Sequence, residues 1–202
     1  MRWTRDDVVA TALTVLEREG LDALSLRGVA REMGAHLNSV NWHVKSKQGL
    51  IALMADAIIG SVSLEDLPAA PLDRVAELIQ RYRRALLARR DGGRLVAGTF
   101  AAEGGTLRVA EALVEGLLAA NFAPEEAARG CWALVYFTLG LTQEEQMRPA
   151  SPSGEVPAAI ESGRYPAMAR VGAYLLVSDS FDARFDYGVG RLLRPDVVLR
   201  PV

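Results

Sequence analysis

The sequence predicts an all-α protein with a three-helix, helix-turn-helix domain at its N-terminus and a larger helical domain behind it. Three observations carry this. Apolar residues recur three and four positions apart along nearly the whole chain, with no alternating stretch that reads as a strand and no internal repeat. Two short segments of this kind meet at Gly34, as in a helix-turn-helix. Both lysines and both histidines of the 202 residues fall within twelve positions beside that turn, His36 to Lys47.

Taken in order, Thr4-Arg5-Asp6-Asp7 reads as a capping box, a hydroxyl at the N-cap and an acid three residues on. Val8, Val9, Ala12, Leu13 and Leu16 follow at helical spacing, and Gly20 ends the helix. Ser25 caps a second, short helix whose inward residues are Leu26, Val29, Ala30 and Met33, closed by Gly34. A third short helix is expected over about 38–44, and Ser46 caps a fourth carrying Leu50, Ile51, Met54, Ile58 and Ile59. Pro68 and Pro71 mark a break. Beyond it 73–90, 106–121 and 124–146 read as helices, with loops at Asp91-Gly92-Gly93 and Glu103-Gly104-Gly105. The stretch 148–157 holds three prolines with serine and glycine and reads as a mobile loop. Helices over 165–177 and 183–193 complete the pattern. The expected division is 1–46 for the three-helix domain, 47–67 for a connecting helix and 68–202 for the larger domain.

Half of the residues are hydrophobic, enough for a sizeable core, yet no uncharged apolar run approaches the ~20 residues that cross a bilayer. Arg2, Arg5, Asp6 and Asp7 interrupt the N-terminus before any apolar block, so no signal peptide and no membrane partner are expected, and a cytoplasmic location is. The one cysteine, Cys131, has apolar neighbours and reads as a buried structural thiol. The formal net charge of −2 argues against a general polyanion binder. Charge is uneven, however: between Ser25 and Lys47, Arg27, Arg31, Lys45 and Lys47 stand against Glu32 alone, a local excess of +3. Such a patch supplies the electrostatic part of DNA binding, although charge alone equally describes a solvated basic face.

In a helix-turn-helix the second helix enters the major groove while the first braces the phosphates. Val40 and Val44, four apart, face the core, which leaves Leu37, Asn38, Ser39, Asn41 and His43 outward. Asparagine bonds adenine bidentately, serine donates or accepts, and leucine touches a thymine methyl. Lys45 and Lys47 suit phosphates, and Arg27 suits phosphate or guanine. Trp42 is assigned chiefly to packing, with a phosphate contact through its indole N–H as the alternative. By spacing alone the segment is also compatible with a small helical knot that caps a larger domain.

Leu24-Ser25-Leu26-Arg27 through Met33-Gly34, then Val40-Asn41-Trp42-His43-Val44-Lys45-Ser46-Lys47-Gln48-Gly49-Leu50, resembles the DNA-binding domain of the tetracycline-repressor (TetR) family. The Trp-His-Val-Lys-x-Lys run is similar to that of the tetracycline repressor subgroup. Ala85-Leu86-Leu87 with Arg90-Asp91-Gly92, Gly98-Thr99, and Phe137-Thr138-Leu139-Gly140 with Glu144-Glu145-Gln146 resemble that subgroup's C-terminal domain. The resemblance covers nearly the whole chain. It implies a homodimer that represses transcription from a double-stranded DNA operator and releases it when a small molecule fills residues 68–202. By position it implies DNA contacts at Ser25, Arg27, Leu37, Asn38, Ser39, Asn41, His43 and Lys47. The family's tyrosine in the reading helix is Asn41 here, and its usual proline or glycine nearby is Asn38, so the operator should differ.

The resemblance also implies pocket walls at Tyr82, Val96, Thr99, Phe100, Leu113, Leu117, Trp132, Tyr136 and Gln146, a set that suits a largely apolar effector; each is equally a core residue. Members that bind magnesium–tetracycline use histidine and asparagine where Val96 and Leu78 fall, and Ser61–Leu64 brings no histidine either, so no metal or other cofactor is expected. The dimer is implied across the helices at 127–146 and 183–193, where Ala127, Ala128, Gly130, Gly188 and Gly190 allow close approach. The rivals are an activator or effector-independent regulator of the same fold, and a small helical enzyme. Against the enzyme, the chain has no G-x-S-x-G elbow, no phosphate-binding glycine loop and no metal-spaced His/Cys cluster.

Overall fold

The computed structural model describes residues 3–99, 104–147, 155–173 and 180–193. Among them the chain forms eleven helices and no strand. They are α1 (Arg5–Glu19), α2 (Leu26–Glu32), α3 (Leu37–Val44), α4 (Lys47–Gly60), α5 (Pro71–Leu87), α6 (Gly92–Ala97), α7 (Gly104–Ala119), α8 (Pro124–Met147), α9 (Glu155–Glu161), α10 (Pro166–Ala173) and α11 (Phe181–Leu192). Among the described residues no helix is long and apolar enough to cross a membrane.

Side-chain caps start the helices of the N-terminal part where the sequence puts them. The Asp7 amide donates to Thr4 Oγ1 at 3.1 Å while the Thr4 amide donates to Asp7 Oδ2 at 2.8 Å, a complete capping box. Ser25 accepts from the Gly28 amide and Ser46 from the Gly49 amide, which fixes the starts of α2 and α4. Gly34, at φ 61°, closes α2: its amide bonds Arg31 O and the Ala35 amide bonds Ala30 O, a Schellman arrangement that only a residue tolerant of positive φ makes without strain.

Apart from Ile160, the buried apolar residues among those described form one contiguous cluster, from Val8 and Leu16 in α1 through Leu50, Met54 and Ile58 in α4 to Leu113, Leu134 and Phe185. Full burial of a leucine such as Leu16, Leu78 or Leu117 contributes about 2 kcal/mol each. Helix α4 packs against α1 and α3 and also against α5, α6 and α7, so it joins the N-terminal bundle to the rest.

Three expectations need correction. Asp91-Gly92-Gly93 is not a loop: Asp91, at φ 55°, turns the chain straight into α6, and a Cβ on Gly92 would lie 2.2 Å from Leu86 O. Glycine here serves a tight junction. Gly104-Gly105 likewise opens α7 instead of interrupting it. The expected loop over 148–157 becomes helix α9 from Glu155, while 148–154 lie outside the described residues, as does the 174–177 end of the expected helix over 165–177.

Candidate nucleic-acid interface and effector region

Helix α3 is anchored by Val40 and Val44, both buried, and presents the rest of its surface outward. Asn38 and Ser39 are exposed, and Leu37, Asn41 and His43 are half-buried along the same helix. Ser25 and Arg27 are exposed at the start of α2, and Lys45 and Lys47 just beyond α3. Among the described residues Arg27, Lys45 and Lys47 form no ion pair, whereas Arg18 and Arg31, on the side of α1 and α2, reach Glu32 at 2.8 Å and Glu19 at 3.9 Å. The unneutralised cations therefore ring α3.

Trp42 corrects the sequence reading. It is 76 % exposed, with its ring edge-on to His43 at 4.8 Å, so it has no packing role within the chain and stands with the outward set. Lys45 carries the chain from α3 to α4 through a γ-turn: at φ 63°, ψ −40° the Ser46 amide donates back to Val44 O at 2.7 Å. A non-glycine residue in this region is strained, and such strain gathers where a side chain has to be aimed. Only Lys45 and Ser46 lie between the end of α3 and the start of α4, so the turn fixes the two helices closely to each other in the chain.

The expected pocket residues separate into groups. Tyr82, Val96, Leu113 and Leu117 are buried on α5, α6 and α7, and Thr99 is half-buried, its hydroxyl donating to Val96 O at 2.9 Å. Burial holds the Tyr82 phenol protonated far above its ordinary range, so it is a neutral donor at any working pH. Phe100 lies outside the described residues. Trp132 and Tyr136 stack on each other at 5.3 Å on the outer face of α8, opposite the buried Leu134 and Thr138; as walls of this interior group they are corrected. Gln146 is corrected as well. Its amide accepts from the Gly93 amide at 3.0 Å and donates to Leu86 O and Arg89 O, which ties α8 to the α5–α6 junction and leaves little for a ligand.

Of the small residues expected between subunits, Ala127 is fully buried, Gly130 faces Leu117, and a Cβ on Gly188 would meet the Phe137 ring at 2.1 Å. These serve packing inside the chain. Ala128 and Gly190 are exposed and open, as is Gly140.

Comparison with known proteins then decides the family. The family model described as tetracyclin repressor-like, C-terminal domain, matches residues 67–194. Tetracycline repressor protein class E of Escherichia coli is 35% identical over 149 residues, which span 72% of this chain and 70% of that protein. The chain belongs to the TetR family. It is a TetR-family transcriptional regulator of all-helical fold. Apo ActR of Streptomyces coelicolor superposes with a TM-score of 0.88 at 26% identity, covering 96% of this chain and 94% of that one. BioQ, solved with its double-stranded DNA operator, superposes with a TM-score of 0.69 at 25% identity, covering 95% and 98%.

In this TetR-family chain the N-terminal bundle is also fastened to α6 by contacts that no local pattern announces. The Arg90 guanidinium donates to Glu17 O and Arg18 O, the last carbonyls of α1, at 3.3 and 2.8 Å. The Arg90 amide meets Glu17 Oε2 at 3.1 Å, and Asp91 Oδ2 accepts from the Leu21 amide at 2.8 Å. Arg94 grips Asp22 with both terminal nitrogens, and that guanidinium holds the Asp22 carboxyl below its ordinary range. Beside this clasp lies a cleft of about 450 Å³ lined by Leu21, Lys47, Ile51, Leu95 and Thr99, so a candidate phosphate anchor and a candidate pocket residue border one space. Among the described residues no His/Cys/Asp/Glu group of three could hold a metal ion.

Proposed function

We propose that the chain is a ligand-responsive repressor: a homodimer that holds a palindromic operator with two α3 helices and releases it when a small, largely apolar effector occupies residues 68–202. The observation that carries this reading is the face of α3, with Asn38, Ser39 and Asn41 available to base edges and Arg27, Lys45 and Lys47 unpaired around it. In it, residues 1–46 are the DNA-binding domain, 47–67 the connecting helix and 68–202 the effector and dimer domain. The protein works in the cytoplasm with its DNA and catalyses nothing.

A two-fold dimer is required because two reading helices must meet half-sites about one DNA turn apart. The outer faces of α8 and α11 support it: Trp132, Tyr136 and Tyr187 are exposed aromatics, and Gly140 and Gly190 beside them leave room for a partner's helices. The effector region is the cluster of Tyr82, Val96, Thr99, Leu113 and Leu117, with Phe100 added by position. ActR, of the same fold, has been solved with actinorhodin at a TM-score of 0.84, which supports an organic effector for this chain too. A ligand that prefers the conformation with wrongly spaced α3 helices draws the population away from DNA.

Leu78 and Val96 are buried and apolar, so the effector is not magnesium–tetracycline. Calorimetric titration of tetracycline with Mg²⁺ should give no heat of binding; micromolar, Mg²⁺-dependent binding contradicts this. The function is tested by gel shift with the DNA flanking the chain's own gene, repeated with candidate effectors. Retardation reversed by one of them is the expected result. Absence of any shift removes DNA binding, and a shift insensitive to every pocket-filling compound favours an effector-independent regulator.

A further inference from the structure

Helices α4 and α7 cap each other. Asp56, in the third turn of α4, accepts from the Thr106 amide at 2.6 Å, the Thr106 hydroxyl at 2.8 Å and the Gly105 amide at 3.2 Å. A carboxylate on the first amides of α7 satisfies donors the helix cannot satisfy itself and meets the positive end of its dipole. In return Arg108, one turn into α7, donates to Gly60 O, the last carbonyl of α4, at 2.8 Å and to Val62 O, two residues beyond, at 2.9 Å. The crossing between them is backbone on backbone: a Cβ on Gly105 would lie 2.9 Å from Gly60 Cα and 2.8 Å from Asp56 O. Neither Gly60 nor Gly105 carries a side chain that could rotate to absorb a shift.

We propose that this two-way cap makes the first turn of α7 a point at which the C-terminal domain sets the position of α4, and through the Lys45 turn that of α3, with Asp56 and Arg108 as positioning residues for DNA reading. The inference rests on the proposed DNA binding. A displaced α7 must either drag α4 with it or break the bonds to the part-buried Gly105 and Thr106 amides and to the Gly60 and Val62 carbonyls, and losing the part-buried ones is the costlier course. Coupling between two sites is reciprocal. DNA that immobilises α3 must therefore steady the start of α7, although α7 touches neither α1, α2 nor α3 closely.

Hydrogen exchange on the full chain, with and without DNA from upstream of its own gene, reads this directly. Binding in the same sample is followed by fluorescence anisotropy. Bound DNA should slow exchange at the Gly105 and Thr106 amides by about tenfold, the size of a local opening suppressed by a modest coupling. In Asp56→Ala that slowing should vanish while slowing in α3 persists, and Asp56→Asn, which keeps one acceptor oxygen, should restore part of it. Arg108 is exposed, so Arg108→Gln leaves the fold intact and should also diminish the slowing. Bound DNA without effect on Gly105 and Thr106, or full slowing in Asp56→Ala and Arg108→Gln, overturns the inference while leaving DNA binding untouched. Failure of any DNA to bind overturns the underlying reading and the inference with it.

Discussion

In the proposed reading Asn41 and Lys47, close in sequence, address different parts of DNA. Asn41 lies within α3, where an amide distinguishes adenine from other bases, whereas Lys47 lies at the start of α4 and carries an exposed, unpaired ammonium. Asn41→Ala should therefore relax base preference at one position of the operator, costing about 1–3 kcal/mol on the best sequence and little on others. Lys47→Ala should weaken all sequences alike and reduce the slope of log affinity against log salt by about 1. Anisotropy titrations on a panel of single-base variants separate the two; equal losses on every sequence for both substitutions contradict the role given to Asn41. At this scale the outward face of α3 was legible because Val40 and Val44 define its inward face. Trp42 was not, since aromatic character alone favours burial, and only the structure shows an indole with nothing packed over it.

Among the helices, the least expected link is Arg83. It is 2 % exposed on α5 and holds Glu145 of α8 at 2.7 Å and Asp182 of α11 at 2.6 Å, with the Phe185 ring 5.0 Å from its guanidinium carbon. The two carboxylates are unequal: Glu145 is 27 % exposed and Asp182 75 %. Water screens the second pair more than the first. Glu145→Ala should thus cost about 2–3 kcal/mol by leaving a buried cation short of its better partner, and Asp182→Ala about 1 kcal/mol or less. Chemical denaturation at fixed protein concentration measures both; equal costs contradict the argument. Helix periodicity revealed α5, α7 and α8 because each buries one long apolar face. It could not reveal α6, or the start of α7 at Gly104, where glycine usually signals a loop. Those starts are stabilised from afar, by Gln146 at Gly93 and by Asp56 at Thr106, 53 and 50 residues away in sequence. Partners at such distances leave no periodic trace.

In the whole molecule, two polar fastenings join the N-terminal helices to the rest of the chain, the α4–α7 crossing and the clasp of Arg90, Asp91 and Arg94 on the end of α1. The clasp titrates. Arg94 lowers the Asp22 pKa below its unfolded value of 3.8, so its contribution is fully present above about pH 4 and is lost as pH falls through the lowered folded value. Both groups are on the surface, so the effect is small and weakens with salt. Thermal melts should show Asp22→Asn less stable than the parent by a constant margin from pH 7 to about pH 5, shrinking in more acid solution; a margin that grows on acidification contradicts the assignment. The N-terminal helices and the C-terminal helical pattern were legible in the sequence, and neither fastening was. In the proposed reading a symmetric pair of α3 helices reads DNA. Hydroxyl-radical footprinting on DNA flanking the chain's own gene tests it most directly. Two protected patches on one face of the duplex, centred about one or a whole number of helical turns apart, are the result predicted. A single patch, or no protection at concentrations that saturate a gel shift, would contradict it.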